Sequence, residues 1–278
     1  MAEPFGIVSG AVGVAAAFTA CVDCFEYVQI GRHFGRDFQT DLLSLSCARL
    51  RLTRWGESVN IYHDPNLGKA NATAAETQLA KDALLQIIGL FAKTEEISKK
   101  YRSGAKPDDD LSTISLTEMD PTNVALQRKM KELAVKRQKG ASFLKLTTWA
   151  IYRKADLRNL IDDITSLIEN IERLFPAPKA QIALAQQEVA ELGSKDSVEL
   201  VENSAKSVDS LLQSAAKEVL TGHQYLNVVV DGKAHAGDAF SGDWRGGAIA
   251  GSHKYDGVQV KGTALLGNKY GGKDFWDD

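Results

Sequence analysis

The sequence predicts an all-α helical bundle followed by a glycine-rich tail, and three observations support this. Through most of residues 1–222 the apolar residues recur at steps of three and four, which is the spacing of amphipathic helices. Residues 223–278 hold 11 of the 23 glycines and contain no Glu, Pro or Cys. The chain also opens on an uncharged stretch, Phe5–Val22. We therefore place a domain boundary near residue 222.

The opening stretch is a candidate membrane-inserting segment. Its 18 residues fall within the roughly 17–25 that a membrane-spanning helix needs. Gly6 and Gly10 have the spacing at which helices approach closely in a bilayer. A buried N-terminal helix of a water-soluble bundle is the alternative interpretation. Glu3 and the lack of a preceding Lys or Arg argue against a secretion signal. The residues that would insert are Phe5, Gly6, Ile7, Val8, Gly10, Val12, Val14, Phe18 and Val22.

Helical patterns continue along the chain, separated by turn and loop residues. The predicted helices cover residues 5–30, 37–62, 74–102, about 121–138, 156–174, 179–192 and 195–221. Gly31 and Gly35 indicate the first break, and the turn residues between His63 and Gly68 indicate the second. Pro121 suits a helix start. The clearest stripe runs from Leu157 to Leu174 and predicts a packed bundle helix.

The helix predicted at about 121–138 and the residue after it carry many cations. Their basic residues are Arg128, Lys129, Lys131, Lys136, Arg137 and Lys139. A solvated helix face is one interpretation. Attraction to anionic lipid headgroups is the other, because each surface cation contributes about 1 kcal/mol there.

The glycine-rich tail aligns with itself at an offset of 30 residues. The aligned positions of the first copy are Val228, Val230, Gly232, Ala234, Gly237, Asp238, Phe240 and Gly242. Those of the second copy are Val258, Val260, Gly262, Ala264, Gly267, Asn268, Tyr270 and Gly272. Val-x-Val before a glycine is typical of a strand. Each copy is too short to bury a core, so we expect a tail that is disordered in the monomer. On assembly it would order as a β-solenoid amyloid of two stacked strand-turn units that extend through other molecules. A plain disordered tail is the alternative.

Both ends of the chain resemble the fungal HET-s/HET-S and LopB family, whose N-terminal domain is called HeLo. The N-terminal match covers residues 3–38, and the C-terminal match covers residues 267–276, which include Phe275 and Trp276. Between them Arg54-Trp55-Gly56, Thr148-Trp149-Ala150 and Leu174-Phe175-Pro176 match in order.

The resemblance implies a function in programmed cell death and heterokaryon incompatibility. In that family the C-terminal repeats form a β-solenoid amyloid, which is templated by a related prion motif or by a nucleotide-binding immune-type receptor with a matching motif. Assembly then disturbs the helical domain and expels the N-terminal segment into the membrane. By this resemblance His33 matches a position at which toxic members carry His. The tail lacks the Glu of the family's Glu–Lys pairs, so its motif is expected to be a distinct variant.

No pattern of catalytic or metal-binding residues accompanies these features. Cys21 and Cys24 are expected to pack in the core, because no second Cys or His pair follows at zinc spacing. No phosphate-binding loop or nucleophile elbow appears. We expect a protein that is not an enzyme and uses no cofactor.

The expected partners and location follow from the same features. The net charge of −3 gives no excess of cations for nucleic acid. The partners expected are copies of the chain itself, related motif-bearing proteins and membrane lipids. Three cysteines without a secretion signal fit the cytoplasm at rest, with relocation to the plasma membrane on activation. The alternative function is a soluble interaction or prion-inhibitory module that assembles through its tail and never inserts.

Overall fold

A computed structural model describes residues 12–32, 38–139, 147–221, 224–237, 253–267 and 269. Within them the chain forms eight α-helices and then a series of short strands. The helices are α1 (Val14–Cys24), α2 (Phe38–Ser58), α3 (Ala74–Ser103), α4 (Pro121–Arg137), α5 (Lys154–Leu174), α6 (Pro178–Leu192), α7 (Lys195–Ala205) and α8 (Ser210–Thr221). The predicted helical bundle followed by a glycine-rich tail is thereby confirmed.

The described strands pair only in parallel, in four separate two-stranded sheets. Strands β1 (Val28–Ile30) and β2 (Trp149–Ile151) pair within the helical part. The tail strands are β3 (Gln224–Leu226), β4 (Val229–Val230), β5 (Lys233–Ala236), β6 (Lys254–Asp256), β7 (Gln259–Val260) and β8 (Thr263–Leu266). They pair as β3 with β6, β4 with β7 and β5 with β8.

Helices α3, α4 and α6 each show a standard capping feature at one end. Thr73 and Glu76 form a reciprocal capping box at the start of α3, which satisfies two free backbone N–H groups. Asp120 accepts from the N–H of Thr122 before Pro121 begins α4. Gly193 ends α6 with φ of 77°, a conformation that glycine adopts without strain.

The core lies where α2 crosses the other helices. α2 packs on α4, α5 and α7, while α1 packs on α3 and α8 packs on α6 and α7. The predicted stripe of α5 is buried, from Leu157 through Ile171. Burial of each such aliphatic side chain contributes about 1.5–3 kcal/mol.

Three predicted helices differ from the structure. The helix predicted over residues 37–62 ends at Ser58, and turns follow it. The helix predicted over residues 5–30 ends at Cys24 in its described part, and Val28–Ile30 is a strand because it finds a partner in Trp149–Ile151. The helix predicted over 195–221 is two helices. They separate at residues 206–209, where the Asp209 carboxylate accepts from the N–H of Leu212 and begins α8.

The tail also differs from the sequence-based expectation of a chain that orders only on assembly. Its two copies pair with each other within one chain. α8 ends at Thr221 and the first tail strand begins at Gln224, close to the predicted boundary at 222.

Candidate functional sites

Helix α1 contains most of the described part of the candidate inserting segment, and its residues from Ala17 to Val22 are buried. Phe18 lies against the rings of Trp55 and Tyr62, with ring centroids 6.4 and 5.9 Å away. Gly56 makes this position possible, because a Cβ there would lie 2.4 Å from the Phe18 ring. The Phe18 ring therefore holds α1 against α2 by filling a close-fitting space beside Gly56.

Few polar contacts hold α1 to the rest of the bundle. Gln138, which follows the last residue of α4, donates to the Thr19 carbonyl at 3.2 Å and to the Asp23 carboxylate. The Thr19 hydroxyl lies within 3.1 Å of the Lys139 carbonyl and 3.0 Å of the Tyr62 hydroxyl. The end of α4 is thus the main polar anchor of α1.

Glu26 just beyond α1 is held by cations from two helices. Arg49 of α2 donates to it at 2.7 Å, and the Lys131 ammonium of α4 lies 3.3 Å away. Burial acts to raise the pKa of Glu26, but the hydrogen bond and charge of Arg49, together with Lys131, outweigh burial and lower that pKa.

The three cysteines are free and buried. Burial raises the pKa of the thiols of Cys21, Cys24 and Cys47, so all three remain protonated at neutral pH. Cys24 donates to the Ala20 carbonyl within the helix. In the described part of the chain, no group of three or more His, Cys, Asp or Glu could hold a metal ion.

Four charged side chains meet inside the bundle, and we call them the buried ion cluster: Arg54, Arg137, Glu188 and Asp209. Arg54 of α2 is 0% exposed; it donates to Glu188 of α6 at 2.6 Å and to both carboxylate oxygens of Asp209 at 2.5 and 2.6 Å. Arg137 of α4 pairs with the second oxygen of Glu188. Burial alone would lower the pKa of Arg54, but the two carboxylates outweigh it and raise that pKa. Arg54 is therefore a fully charged group inside the core.

The buried ion cluster connects the helix beside the tail to the anchor of α1. Asp209 begins α8 and Arg137 ends α4. Gln138, the next residue, donates to α1. Ion pairs therefore run from the start of α8 through α2 and α6 to Arg137 at the end of α4, and the next residue in the chain, Gln138, bonds to α1.

The basic face of α4 is partly engaged within the bundle, because Lys129 and Arg137 are half-buried and the other four basic residues are exposed. Lys129 donates to the Leu192 carbonyl at 2.9 Å and so caps the end of α6. Arg137 pairs with Glu57 and Glu188, and Lys131 pairs with Glu26. Lys129 and Arg137 therefore hold a helix end and the buried carboxylate of Glu188. The other four cations lie on an exposed face, so solvation and attraction to anionic lipid both stay open as interpretations.

The two tail copies form stacked coils of three strands each. Val230 pairs with Val260 and Ala234 with Ala264, so the strand register has the offset of 30 residues that the sequence repeat has. The chain turns at residues with left-handed backbone conformations. These residues are Asn227, Gly232 and Gly237 in the first copy, and Gly257 and Gly267 in the second.

The predicted site residues divide between described and undescribed parts of the chain. Val12 and Val14 are partly buried against the core, and Phe18 and Val22 are fully buried. Among the tail residues Val228, Val258, Gly232 and Gly262 lie in the coils. The residues outside the described part are Phe5, Gly6, Ile7, Val8, Gly10, His33, Asp238, Phe240, Asn268, Tyr270, Phe275 and Trp276. Among the described residues, no helix combines the length and apolarity that crossing a membrane requires.

Sequence reasoning missed two sets of residues. Tyr225 and Tyr255 also pair at the offset of 30. Extending the repeat alignment upstream by three positions would have found them. Arg54 and Asp209 lie 155 residues apart, and no local pattern identifies them as partners.

The geometry defines a class of protein in which a helical bundle precedes a two-coil β-repeat. The chain belongs to the HeLo family, described as prion inhibition and propagation, which matches residues 6–206. The chain is 35% identical to heterokaryon incompatibility proteins S and s of Podospora anserina, over the full length of both chains in each comparison.

Solved structures agree with this assignment. The HET-s N-terminal domain has a TM-score of 0.70 and 36% identity, and the match covers 75% of this chain and 97% of that domain. A double-substitution variant of the same domain has a TM-score of 0.69 at 36% identity, over 74% of this chain and 97% of that one.

Proposed function

We propose that the chain is a cell-death effector of the heterokaryon incompatibility type. In this proposal assembly of the tail disturbs α8, and the N-terminal segment, Phe5–Val22, leaves the bundle and permeabilises a membrane. The protein rests in the cytoplasm and moves to the plasma membrane when activated. Two relatives that match it over the full chain are heterokaryon incompatibility proteins.

One observation carries the link between the tail and α1, namely the buried ion cluster. Disturbing the start of α8 withdraws Asp209 and leaves the charge of Arg54 in the core with Glu188 as its remaining carboxylate partner. Loss of one partner of a buried ion pair costs about 3–5 kcal/mol. The loss destabilises the packing of α2, α6 and α4 around the cluster. The end of α4 holds α1 through Gln138.

The edge of the second coil supports assembly through the tail. Carbonyls of the first copy, such as Val230 and Ala236, accept from the second copy at Lys261 and Gly267. The repeat directs the equivalent carbonyls of the second copy away from the first, towards an incoming strand. Open strand edges template pairing with other chains. Suitable templates are a second copy, a related motif-bearing protein, or a nucleotide-binding receptor with a matching motif.

Ala16 allows a direct test of insertion. It is an exposed residue of α1 within the candidate segment, so Ala16→Lys leaves the core intact. In a bilayer centre, however, a lysine costs about 2.5–3.5 kcal/mol. Soluble full-length protein is mixed with phosphatidylcholine–phosphatidylserine vesicles and seeded with fibrils of the full-length protein, and release of an entrapped dye is measured.

We expect wild type and the matched Ala16→Leu variant to release dye only when seeded, and Ala16→Lys to release little. Circular dichroism confirms that both variants keep the helical fold. Equal release by Ala16→Lys would show that α1 does not insert. Absence of seeded release from wild type would contradict the proposal as a whole.

A second candidate function is a prion-inhibitory module that assembles without insertion. The family description covers inhibition as well as propagation, and the chain is equally similar to proteins S and s. In the vesicle experiment an inhibitory chain would incorporate into seeds and release no dye.

A further inference from the structure

The two tail coils carry a tyrosine at equivalent positions, and each closes its own coil. The Tyr225 hydroxyl donates to the Ala236 carbonyl, and the Tyr255 hydroxyl donates to the Leu266 carbonyl, both at 2.8 Å. The two rings stack with centroids 5.1 Å apart and planes 10° from parallel. A single side chain thus both bridges the start and end of its coil and stacks on the neighbouring coil.

The Ala236 carbonyl takes part both in closing its own coil and in pairing with the next coil. It accepts from the Tyr225 hydroxyl of its own coil and from the Gly267 N–H of the next coil, each at 2.8 Å. Gly237 must follow it without a side chain, because a Cβ there would lie 2.1 Å from the Tyr225 hydroxyl. The tyrosine and the glycine twelve residues later therefore form one structural unit.

Equivalent residues of the two coils differ sharply in exposure. Tyr225 is 6% exposed and Tyr255 is 52% exposed. Val230 is 6% exposed and Val260 is 44% exposed. Tyr255 and Val260 belong to the second coil, whose far edge pairs with no other described strand. At these two positions the second coil thus presents an aromatic and an apolar side chain whose counterparts in the first coil are covered.

We propose that Tyr255 selects the strand that adds next, and that its partner is residues 224–237 of a second copy of this chain. The incoming Tyr225 stacks on the open face of Tyr255. The incoming Gly237 N–H then donates to the Leu266 carbonyl, as the Gly267 N–H does to Ala236 within the chain. This inference rests on the proposed function, because it concerns the same assembly. It adds a recognition rule, which is a tyrosine followed twelve residues later by glycine.

The test measures elongation of full-length fibrils by soluble full-length protein, followed by thioflavin fluorescence. Tyr255→Leu is expected to slow elongation about tenfold, because it removes both the stack and the hydroxyl bond. Tyr255→Phe keeps the ring and is expected to fall between Tyr255→Leu and wild type. Leu79→Ala is the matched control, since Leu79 is 54% exposed on α3, outside the repeat, and it is expected to elongate as wild type does.

Seeds of the double variant Tyr225→Leu/Tyr255→Leu test selectivity. They are expected to elongate with their own soluble protein and to reject wild-type protein. Elongation of Tyr255→Leu at the wild-type rate, or an equal loss in Leu79→Ala, would overturn this inference and leave the proposed function standing. Failure of wild type to form seeded fibrils would overturn both.

Discussion

At the scale of single residues, Gly56 is the clearest steric requirement in the bundle. A Cβ at this position would lie 2.4 Å from the Phe18 ring, which is itself 0% exposed and enclosed. Forcing extra atoms into a packed core typically costs about 1–3 kcal/mol. We predict that Gly56→Ala lowers the free energy of unfolding by that amount, as measured by urea denaturation.

Gly89 provides the matched control for this prediction. It lies within α3, and no atom outside the helix's own backbone approaches a Cβ built on it within 4 Å. Gly89→Ala is therefore expected to stabilise the protein by about 0.5–1 kcal/mol, because alanine is the better helix former. If both substitutions had the same effect, steric conflict with Phe18 would not explain the role of Gly56.

The sequence allowed some residue roles to be predicted and concealed others. The apolar run containing Phe18 and Val22 predicts burial, and the structure confirms it. The contact of Phe18 with Gly56 joins residues 38 positions apart, so no periodicity reveals it. The same is true of Arg54. In the sequence it looks like an ordinary helix cation, because its partners Glu188 and Asp209 lie far along the chain.

At the scale of elements, the start of α3 depends on Glu76. Hydrogen bonds from Lys69 and then Thr73 lower the pKa of Glu76 from 4.5 to about 2. A lowered folded-state pKa means that this stabilisation is complete above the unfolded pKa and is lost as the pH falls towards about 2. We predict that the difference in Tm between wild type and Glu76→Gln is constant above about pH 5 and shrinks below it.

Thermal melts from pH 7 to pH 2.5 check this prediction. Lys69→Met serves as the control, because Lys69 supplies the largest contribution to the shift. In the Lys69→Met background the pH-dependent part of the Glu76→Gln effect is expected to shrink. A Tm difference that does not change with pH would show that Glu76 acts only as a neutral capping group.

The elements themselves were partly predictable. The stripe of α5 and the start of α4 at Pro121 follow from apolar spacing and helix-start chemistry, and both hold in the structure. The strand Val28–Ile30 was missed because its partner lies far along the chain. The break between α7 and α8 was missed because it contains no Gly or Pro and depends on Asp209.

At the scale of the whole molecule, the buried ion cluster joins four helices, α2, α4, α6 and α8, whose contact is not evident from the sequence. We predict that Asp209→Ala lowers the free energy of unfolding by about 3–5 kcal/mol, because it leaves Arg54 short of a partner. The matched control is Lys195→Ala, which breaks an ion pair that is exposed on both sides and should cost at most about 1 kcal/mol. Urea denaturation compares the two variants, and a cost below 1 kcal/mol for Asp209→Ala would contradict a structural role for the cluster.

The same variant tests whether α8 and α1 open together. Asp209→Ala acts at the start of α8, and the cluster transmits the change to Arg137 and Gln138, which adjoin α1. We predict that amides of α1 exchange hydrogen faster in Asp209→Ala than in Ile164→Ala. Ile164→Ala removes a fully buried side chain of α5, at an expected cost of about 2–5 kcal/mol. The two variants are expected to lose similar stability. Faster exchange in Asp209→Ala that is confined to α8, the end of α4 and α1 would identify a shared opening. Equal exchange in the two variants would show that α8 and α1 open independently.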